Sequence, residues 1–225
     1  VQLLIPAAGL GTRLGAETPK ALLPLAGLPM LCRTLDRFAP LGLHERAIVL
    51  YPPGHWGAFA GALGTVYGGV RLIEGGTERQ DSVAIGLAAL ETDAEIVVIH
   101  DAARPFVSTE AVRACIAAAR EFGGATVALP SVDTVLEADE AGLLQRTPER
   151  RRLWQCQTPQ CFRPDYIVKA HAYAREKGFA ATDDATLVRY AGGRVKLVPG
   201  SRWNFKVTTP EDVALAELVI RERLA

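Results

Sequence analysis

Five short apolar runs punctuate the first two-thirds of the chain: Leu3-Leu4-Ile5, Ala47-Ile48-Val49-Leu50, Val70-Arg71-Leu72-Ile73, Ile96-Val97-Val98-Ile99 and Ala125-Thr126-Val127-Ala128-Leu129. A strand with one wet face alternates apolar and polar side chains; a run that is apolar almost throughout needs cover on both faces. Helical patterns fill the gaps. Leu31, Leu35 and Phe38 share a face of residues 28–38, and Val83, Leu87 and Leu90 share a face of 82–90. Residues 108–122 open with Ser-Thr-Glu, a capping sequence, and run on through alanines. The last helix opens Thr209-Pro210-Glu211-Asp212, a cap followed by proline and early acids, with Leu215, Leu218 and Val219 as its apolar stripe. Strand and helix in alternation predict an α/β chain: a three-layer, Rossmann-like sandwich around a mostly parallel sheet.

One stretch breaks this rhythm. From Val132 to Phe162 no helix is discernible, and the β-type fragments Thr134–Glu137 and Leu153–Cys156 flank a turn-like Asp139-Glu140-Ala141-Gly142. A long irregular insertion is read here as a projecting β-arm, about 132–162, on a single domain of residues 1–225. The tail after the last helix is too short for a fused second enzyme, so a single activity is expected.

Charge narrows the partners. The 25 Lys and Arg balance the 25 Asp and Glu, so no global field draws the chain to nucleic acid or an anionic membrane, and affinity for phosphate must come from local placement. No apolar stretch is long enough to span a bilayer, and Arg13 follows rather than precedes the first apolar run, unlike a secretory leader. Cys32, Cys115, Cys156 and Cys161 form no CxxC pair and the four histidines no HExxH spacing. Reduced thiols in a cytoplasmic protein without structural zinc are expected.

The first apolar run leads into Pro6-Ala7-Ala8-Gly9-Leu10-Gly11-Thr12-Arg13, with Lys20 after Pro19. In an open α/β sheet ligands sit beyond the carboxyl ends of the strands, where this loop departs. Gly9 and Gly11 let backbone N–H groups approach an anion, and Arg13 and Lys20 add cationic donors. The pattern fits a triphosphate cradle. It is not a Walker A loop, since Lys20 is followed by Ala21, nor the GxGxxG fingerprint, whose third glycine would fall at Leu14. A plain strand-to-helix turn is the competing reading.

The fourth run ends in His100-Asp101-Ala102-Ala103-Arg104-Pro105. An aspartate at a strand's carboxyl end is placed for magnesium, which takes one or two carboxylates beside phosphate oxygens and water; a turn or cap is its alternative use. His100 points away from Asp101 in an extended chain and reads as structural.

Together these segments carry a resemblance. The opening loop, GGTERQDSV (75–83), HDAARPF (100–106), QTPQCF (157–162), Thr182-Asp183-Asp184 and NFKVTTPED (204–212) are similar, in order and over essentially the whole chain, to the 2-C-methyl-D-erythritol 4-phosphate cytidylyltransferases. The opening loop is shared by many sugar-nucleotide pyrophosphorylases; the later motifs are more specific. The resemblance implies a nucleotidyltransferase fold and transfer of CMP from CTP to 2-C-methyl-D-erythritol 4-phosphate, with Mg2+, releasing pyrophosphate. It implies that Ala7, Ala8, Gly9, Gly11 and Arg13 wrap the triphosphate, that Arg13 and Lys20 neutralise it, and that Lys206 faces the α-phosphate. Gly76 and Ser82 fall at the cytosine, and Asp101 and Ala102 near the ribose and metal. Arg104, Thr158 and Thr182 fall near the acceptor; Thr134 and Arg150 hold it in the neighbouring site of a homodimer, Arg151 and Arg152 being close alternatives to Arg150. Thr77 stands where the family often has aspartate.

A ribitol-5-phosphate cytidylyltransferase shares the nucleotide half and is the alternative. A sugar-1-phosphate nucleotidyltransferase using UTP or dTTP fits GGTERQDSV and NFKVTTPED less well. A non-catalytic nucleotide-binding module would be expected to lack some of Arg13, Lys20, Asp101 and Lys206, yet all are present. Asparagine occurs once, at Asn204.

Overall fold

The computed structural model describes residues 1–9 and 18–225. In chain order its first half contains β1 (Gln2–Pro6), a small hairpin of β2 (Pro24–Leu25) and β3 (Leu28–Pro29), α1 (Met30–Asp36), β4 (Ile48–Tyr51), α2 (Trp56–Leu63), β5 (Arg71–Glu74), α3 (Arg79–Ala88), β6 (Val97–Ile99) and α4 (Thr109–Phe122). Then come β7 (Gly124–Pro130), β8 (Glu137–Ala138), β9 (Leu144–Arg146), β10 (Trp154–Phe162), α5 (Pro164–Glu176), α6 (Asp184–Tyr190), β11 (Lys196–Pro199) and α7 (Pro210–Arg221).

Seven strands form one sheet in the order β11-β7-β10-β6-β1-β4-β5. Strand β10 runs antiparallel to both β6 and β7, and the other pairings within this sheet are parallel. Four of the five apolar runs are buried on both faces, as their composition requires; the third falls on β5, the edge strand, where Leu72 and Ile73 are only partly buried and Arg71 is exposed. Leu3 and Ile5 of β1 join one cluster with Leu31, Leu35, Val49 and Val98, while Leu4 between them joins the other with Ile48, Val83, Val97 and Ile167. Each face is therefore sealed by helices: α1, α2 and α4 on one side, α3, α5 and α6 on the other.

Local sequence explains several boundaries. Ser108 caps α4, its side chain accepting from Ala111 N. Thr209 and Asp212 form a capping box at α7, with Pro210 at the first position. Of the expected apolar stripe of α7 only Val219 is buried, and Ala216 joins it in place of the two leucines. Ala216 and Val219 are buried against Leu25, Phe106 and Val207, whereas Leu215 and Leu218 are 42 % and 39 % exposed.

The region read as an arm divides in two. Residues 154–162 are not arm but β10, at the centre of the sheet. The part before it, with the small β8–β9 hairpin, pairs only with itself and is largely exposed. No helix among the described residues is long and apolar enough to cross a membrane.

Candidate active site

Strand order reverses at β1, whose neighbours are β4 and β6, and a crevice beyond the strand ends at such a point is the general ligand site of open α/β sheets. A cavity of about 320 Å³ lies there. Ala7, Ala8 and Gly9 reach it from β1, Asp101 and Ala102 from β6, and Ser82 from the first turn of α3; Lys20 and Lys206 complete the predicted set. Gly76 sits behind Ser82, its N–H donating to Ser82 Oγ at 3.1 Å. A Cβ there would stand 2.5 Å from Asp81 Cβ, so only glycine lets this turn close. Gly11 and Arg13 lie outside the described residues.

The electrostatics centre on Asp101. Its Oδ2 accepts from Lys206 Nζ at 2.8 Å, its Oδ1 accepts from Arg79 Nε at 3.2 Å, and Arg104 Nε stands 3.8 Å from Oδ2. Burial alone would push the carboxyl up, but the charges of Arg79, Lys206 and Arg104 overcome it and hold Asp101 ionised, far below the ordinary carboxylate range. Arg79 is itself anchored from behind: its Nη1 donates to Asp184 Oδ2 at 2.8 Å, and Asp184 Oδ1 bonds His171 Nε2 at 3.1 Å. Asp184 is fully buried, and despite that burial Arg79 and then His171 keep it ionised. Sequence reasoning assigns no role to Arg79 or Asp184. The signal present is an arginine inside GGTERQDSV at a helix start, but its anchor comes from a distant segment.

His100 is structural, as expected, and supports Asp101 from beneath. Its Nε2 lies 3.0 Å from Arg104 O, which can only accept, so Nε2 carries the proton and Nδ1 accepts from Thr158 Oγ1 at 3.0 Å. Thr158 Oγ1 is then left to accept the Asp101 N–H at 3.1 Å. Burial pushes the imidazole down to about 4, whereas the unfolded chain protonates near about 6.5. Between those values the unfolded state binds the extra proton. Stability is therefore complete above the unfolded value and falls on acidification toward pH 4, by at most about 1.4 kcal/mol per pH unit from this group. Asp101 and Asp184 act in the same direction in a lower window, below the ordinary aspartate value near about 3.9. Urea midpoints measured from pH 7 to 4.5 are expected to fall less steeply in His100→Gln than in the parent; equal slopes would refute the assignment.

A second cavity, about 530 Å³, adjoins the first and shares Lys206 with it. Arg104, Gln157, Arg202 and Phe205 line it, with Val132 and Asp133 from the root of the arm. Of the residues assigned to the acceptor, only Arg104 faces this space directly. Thr158 lies beneath it, 5 % exposed. Thr134, Arg150 and Thr182 line neither cavity of their own chain. Thr134 and Arg150 are exposed on the arm, and Arg150 Nη1 donates to Val132 O at 2.9 Å. Thr182 is exposed just before α6, and Thr77 lines the first cavity, its hydroxyl 3.4 Å from Asp81 Oδ2.

Among the described residues no three His, Cys, Asp or Glu side chains cluster to hold a metal. Magnesium does not need such a cluster: one ionised carboxylate with triphosphate oxygens and water completes its shell. Asp101 has the right donor chemistry, provided its oxygens are released by Arg79 or Lys206.

The chain matches, over residues 1–222, the family model described as 2-C-methyl-D-erythritol 4-phosphate cytidylyltransferase (IspD). It is 44 % identical to the protein of that name from Pelotomaculum thermopropionicum, over 99 % of this chain and 95 % of the relative. The crystal structure of 2-C-methyl-D-erythritol 4-phosphate cytidylyltransferase from Thermus thermophilus superimposes with a TM-score of 0.82 at 39 % identity, covering 98 % of both chains. That of 4-diphosphocytidyl-2C-methyl-D-erythritol synthase from Anaerococcus prevotii gives 0.86 at 30 % identity, covering 98 % of this chain and 97 % of the other.

Proposed function

The chain belongs to the 2-C-methyl-D-erythritol 4-phosphate cytidylyltransferase family, and on that premise we propose how its residues divide the transfer of CMP from CTP to 2-C-methyl-D-erythritol 4-phosphate in non-mevalonate isoprenoid biosynthesis. A phosphate oxygen of the acceptor attacks the α-phosphorus, the bond to the β-phosphate breaks, and 4-diphosphocytidyl-2-C-methyl-D-erythritol and pyrophosphate leave. The observation that carries the reading is the wall between the two cavities. Lys206 borders both, so a cation stands where a nucleotide in one and a phosphorylated acceptor in the other would meet.

The nucleophile needs no general base. A phosphate monoester has its second pKa near about 6 and is largely dianionic at neutral pH. His100 and His171 are spent on internal bonds. The barrier is repulsion between two anions, which fixed positive charge relieves. In this reading Lys206 and Lys20 contact the phosphates, joined by Arg13, while Ala7, Ala8, Gly9 and Gly11 supply backbone donors. Ser82 and Gly76 border the base, and Asp101 and Ala102 the ribose. Asp101 would hold magnesium, which when bound would offset charge on the triphosphate. Arg104 faces the acceptor, with Thr158 and Thr182 nearby. We place the reaction in the cytoplasm, in keeping with four cysteines that are all free thiols.

The arm is read as reaching a second copy of the chain. A two-stranded hairpin is marginal alone, yet this one exposes Leu136, Leu143 and Leu144 at 60 %, 66 % and 63 %, an apolar surface that calls for cover. Thr134 and Arg150 would then serve the partner's acceptor. Arg150→Ala is expected to raise KM for the acceptor ~10- to 100-fold, the loss of one charge-assisted hydrogen bond, and to leave KM for CTP unchanged. Mixed with Lys206→Ala protein it should regain activity, because one site of the mixed dimer keeps both residues. No recovery on mixing would mean that the arm serves its own chain.

The activity itself is tested by incubating the protein with CTP, magnesium and either 2-C-methyl-D-erythritol 4-phosphate or ribitol 5-phosphate and following pyrophosphate. Release is expected with the first; release only with the second would replace this function.

A further inference from the structure

Asn204, the only asparagine in the chain, is 2 % exposed where residues of the two cavities meet. Its Nδ2 donates to Thr158 O at 2.7 Å and to Gln157 Oε1 at 3.2 Å. Both partners are acceptors, which fixes the orientation of the amide. Its backbone carbonyl accepts from Arg104 Nη1 at 2.7 Å. Gln157 Nε2 donates onward to Ser201 O at 2.9 Å, and Val207 N donates to Ala103 O at 2.9 Å. The segment carrying Lys206 is thus tied at both ends and through Asn204 in the middle, to β10 on one side and to the Asp101–Arg104 loop on the other.

The fit has no slack. A Cβ on Gly200 would stand 2.4 Å from Gln157 Oε1. Among the described residues, Arg104 Nε and Asn204 Oδ1 are buried side-chain polar atoms with no hydrogen-bond partner from the protein. Serine or aspartate at position 204 could not offer the same two N–H donors, since only an amide presents both from one short side chain.

We propose that Asn204 is a positioning residue for the transfer. By joining Gln157 and Thr158 to the Lys206 segment, and by presenting its carbonyl to Arg104, it sets the spacing between the cation on the nucleotide side and the cation on the acceptor side. The proposal rests on the role given to Lys206 above. Misplacement of a reacting group by about 1 Å can cost ~10²-fold in rate, so a residue that touches neither substrate can still control turnover.

The test is steady-state kinetics on Asn204→Ala, Lys206→Ala, the double variant and Asn204→Ser, with thermal midpoints alongside. Asn204→Ala is expected to lower kcat ~10- to 100-fold while KM for CTP stays within about threefold. In the Lys206→Ala background the same change should cost less than about twofold further, because residues acting through one another are not additive. Asn204→Ser, which keeps one hydroxyl donor, should recover part of the loss. Wild-type turnover in folded Asn204→Ala overturns the proposal, and so do losses that multiply in the double variant. Failure of both single variants at position 204 to fold also overturns it, as the mark of a scaffold role. Normal turnover in Lys206→Ala removes the premise and the proposal together, whereas normal turnover in Asn204→Ala alone removes only the proposal.

Discussion

Lys206→Ala is expected to lower kcat and kcat/KM for the acceptor by the same ~10²- to 10³-fold, the scale for losing one preorganised donor to developing charge. The equal fall is the informative part. Lys206 is paired with Asp101 at 2.8 Å, so a phosphate must compete with that carboxylate for it, and the contact is expected to be strongest where charge accumulates in the transition state. An interaction made in the transition state and not before lowers both constants together. The fold should survive the change, because Asp101 keeps Arg79 and Arg104. Lys206→Arg is not expected to rescue: a planar fork cannot occupy the place of a compact ammonium between two cavities. Stopped-flow measurement of a single turnover separates the chemical step from product release, and near-normal turnover in the alanine variant would falsify the role given to this lysine.

The parts legible in sequence are those where burial dictates composition. Leu3, Leu4 and Ile5 must be covered on both sides, so β1 and its parallel neighbours follow from their residues alone. Strand β10 is hidden for the opposite reason. Gln157, Thr158 and Gln160 are buried, but they are polar because each is committed to the site's own bonding. Gln160 Oε1 accepts from Asp184 N and Ala185 N, and its Nε2 donates to Thr126 Oγ1. A central strand built from amides and a proline does not look like a core strand, and its sequence reads as arm. In α7 hydrophobicity favours the leucines over Ala216 as the buried stripe, although a close-packed seam selects the smaller side chain. The site shows the same division. Asp101, Lys20 and Lys206 sit in motifs whose chemistry is local, and one chain brings them to one cavity. Arg79 and Asp184 acquire meaning only when the fold brings the first residues of α3 and α6 together, Arg79 Nη1 to Asp184 Oδ2 at 2.8 Å.

Asp101→Asn is expected to damage stability and chemistry at once, and the two effects have separate causes. Three cations converge on this carboxylate. Removing its charge leaves Arg104, with a side chain only 11 % exposed, facing Arg79 and Lys206 without compensation. Breaking such a buried pair from one side costs about 3–5 kcal/mol, which for a chain of this length lowers the thermal midpoint by ~6–20 °C. Arg79 stays anchored through Asp184, so the loss should be local and the protein recoverable at low temperature. Turnover measured there should still be down by more than ~10²-fold, because Lys206 loses its fixed partner and, among the described residues, only Glu78 remains as a carboxylate lining that cavity. The distinguishing measurement is a magnesium titration. If Asp101 only stabilises the fold, the variant's rate will saturate at the same magnesium concentration as the parent's; if it holds the ion, saturation shifts to higher concentration, and a folded variant with unshifted saturation and parental turnover would remove Asp101 from the reaction.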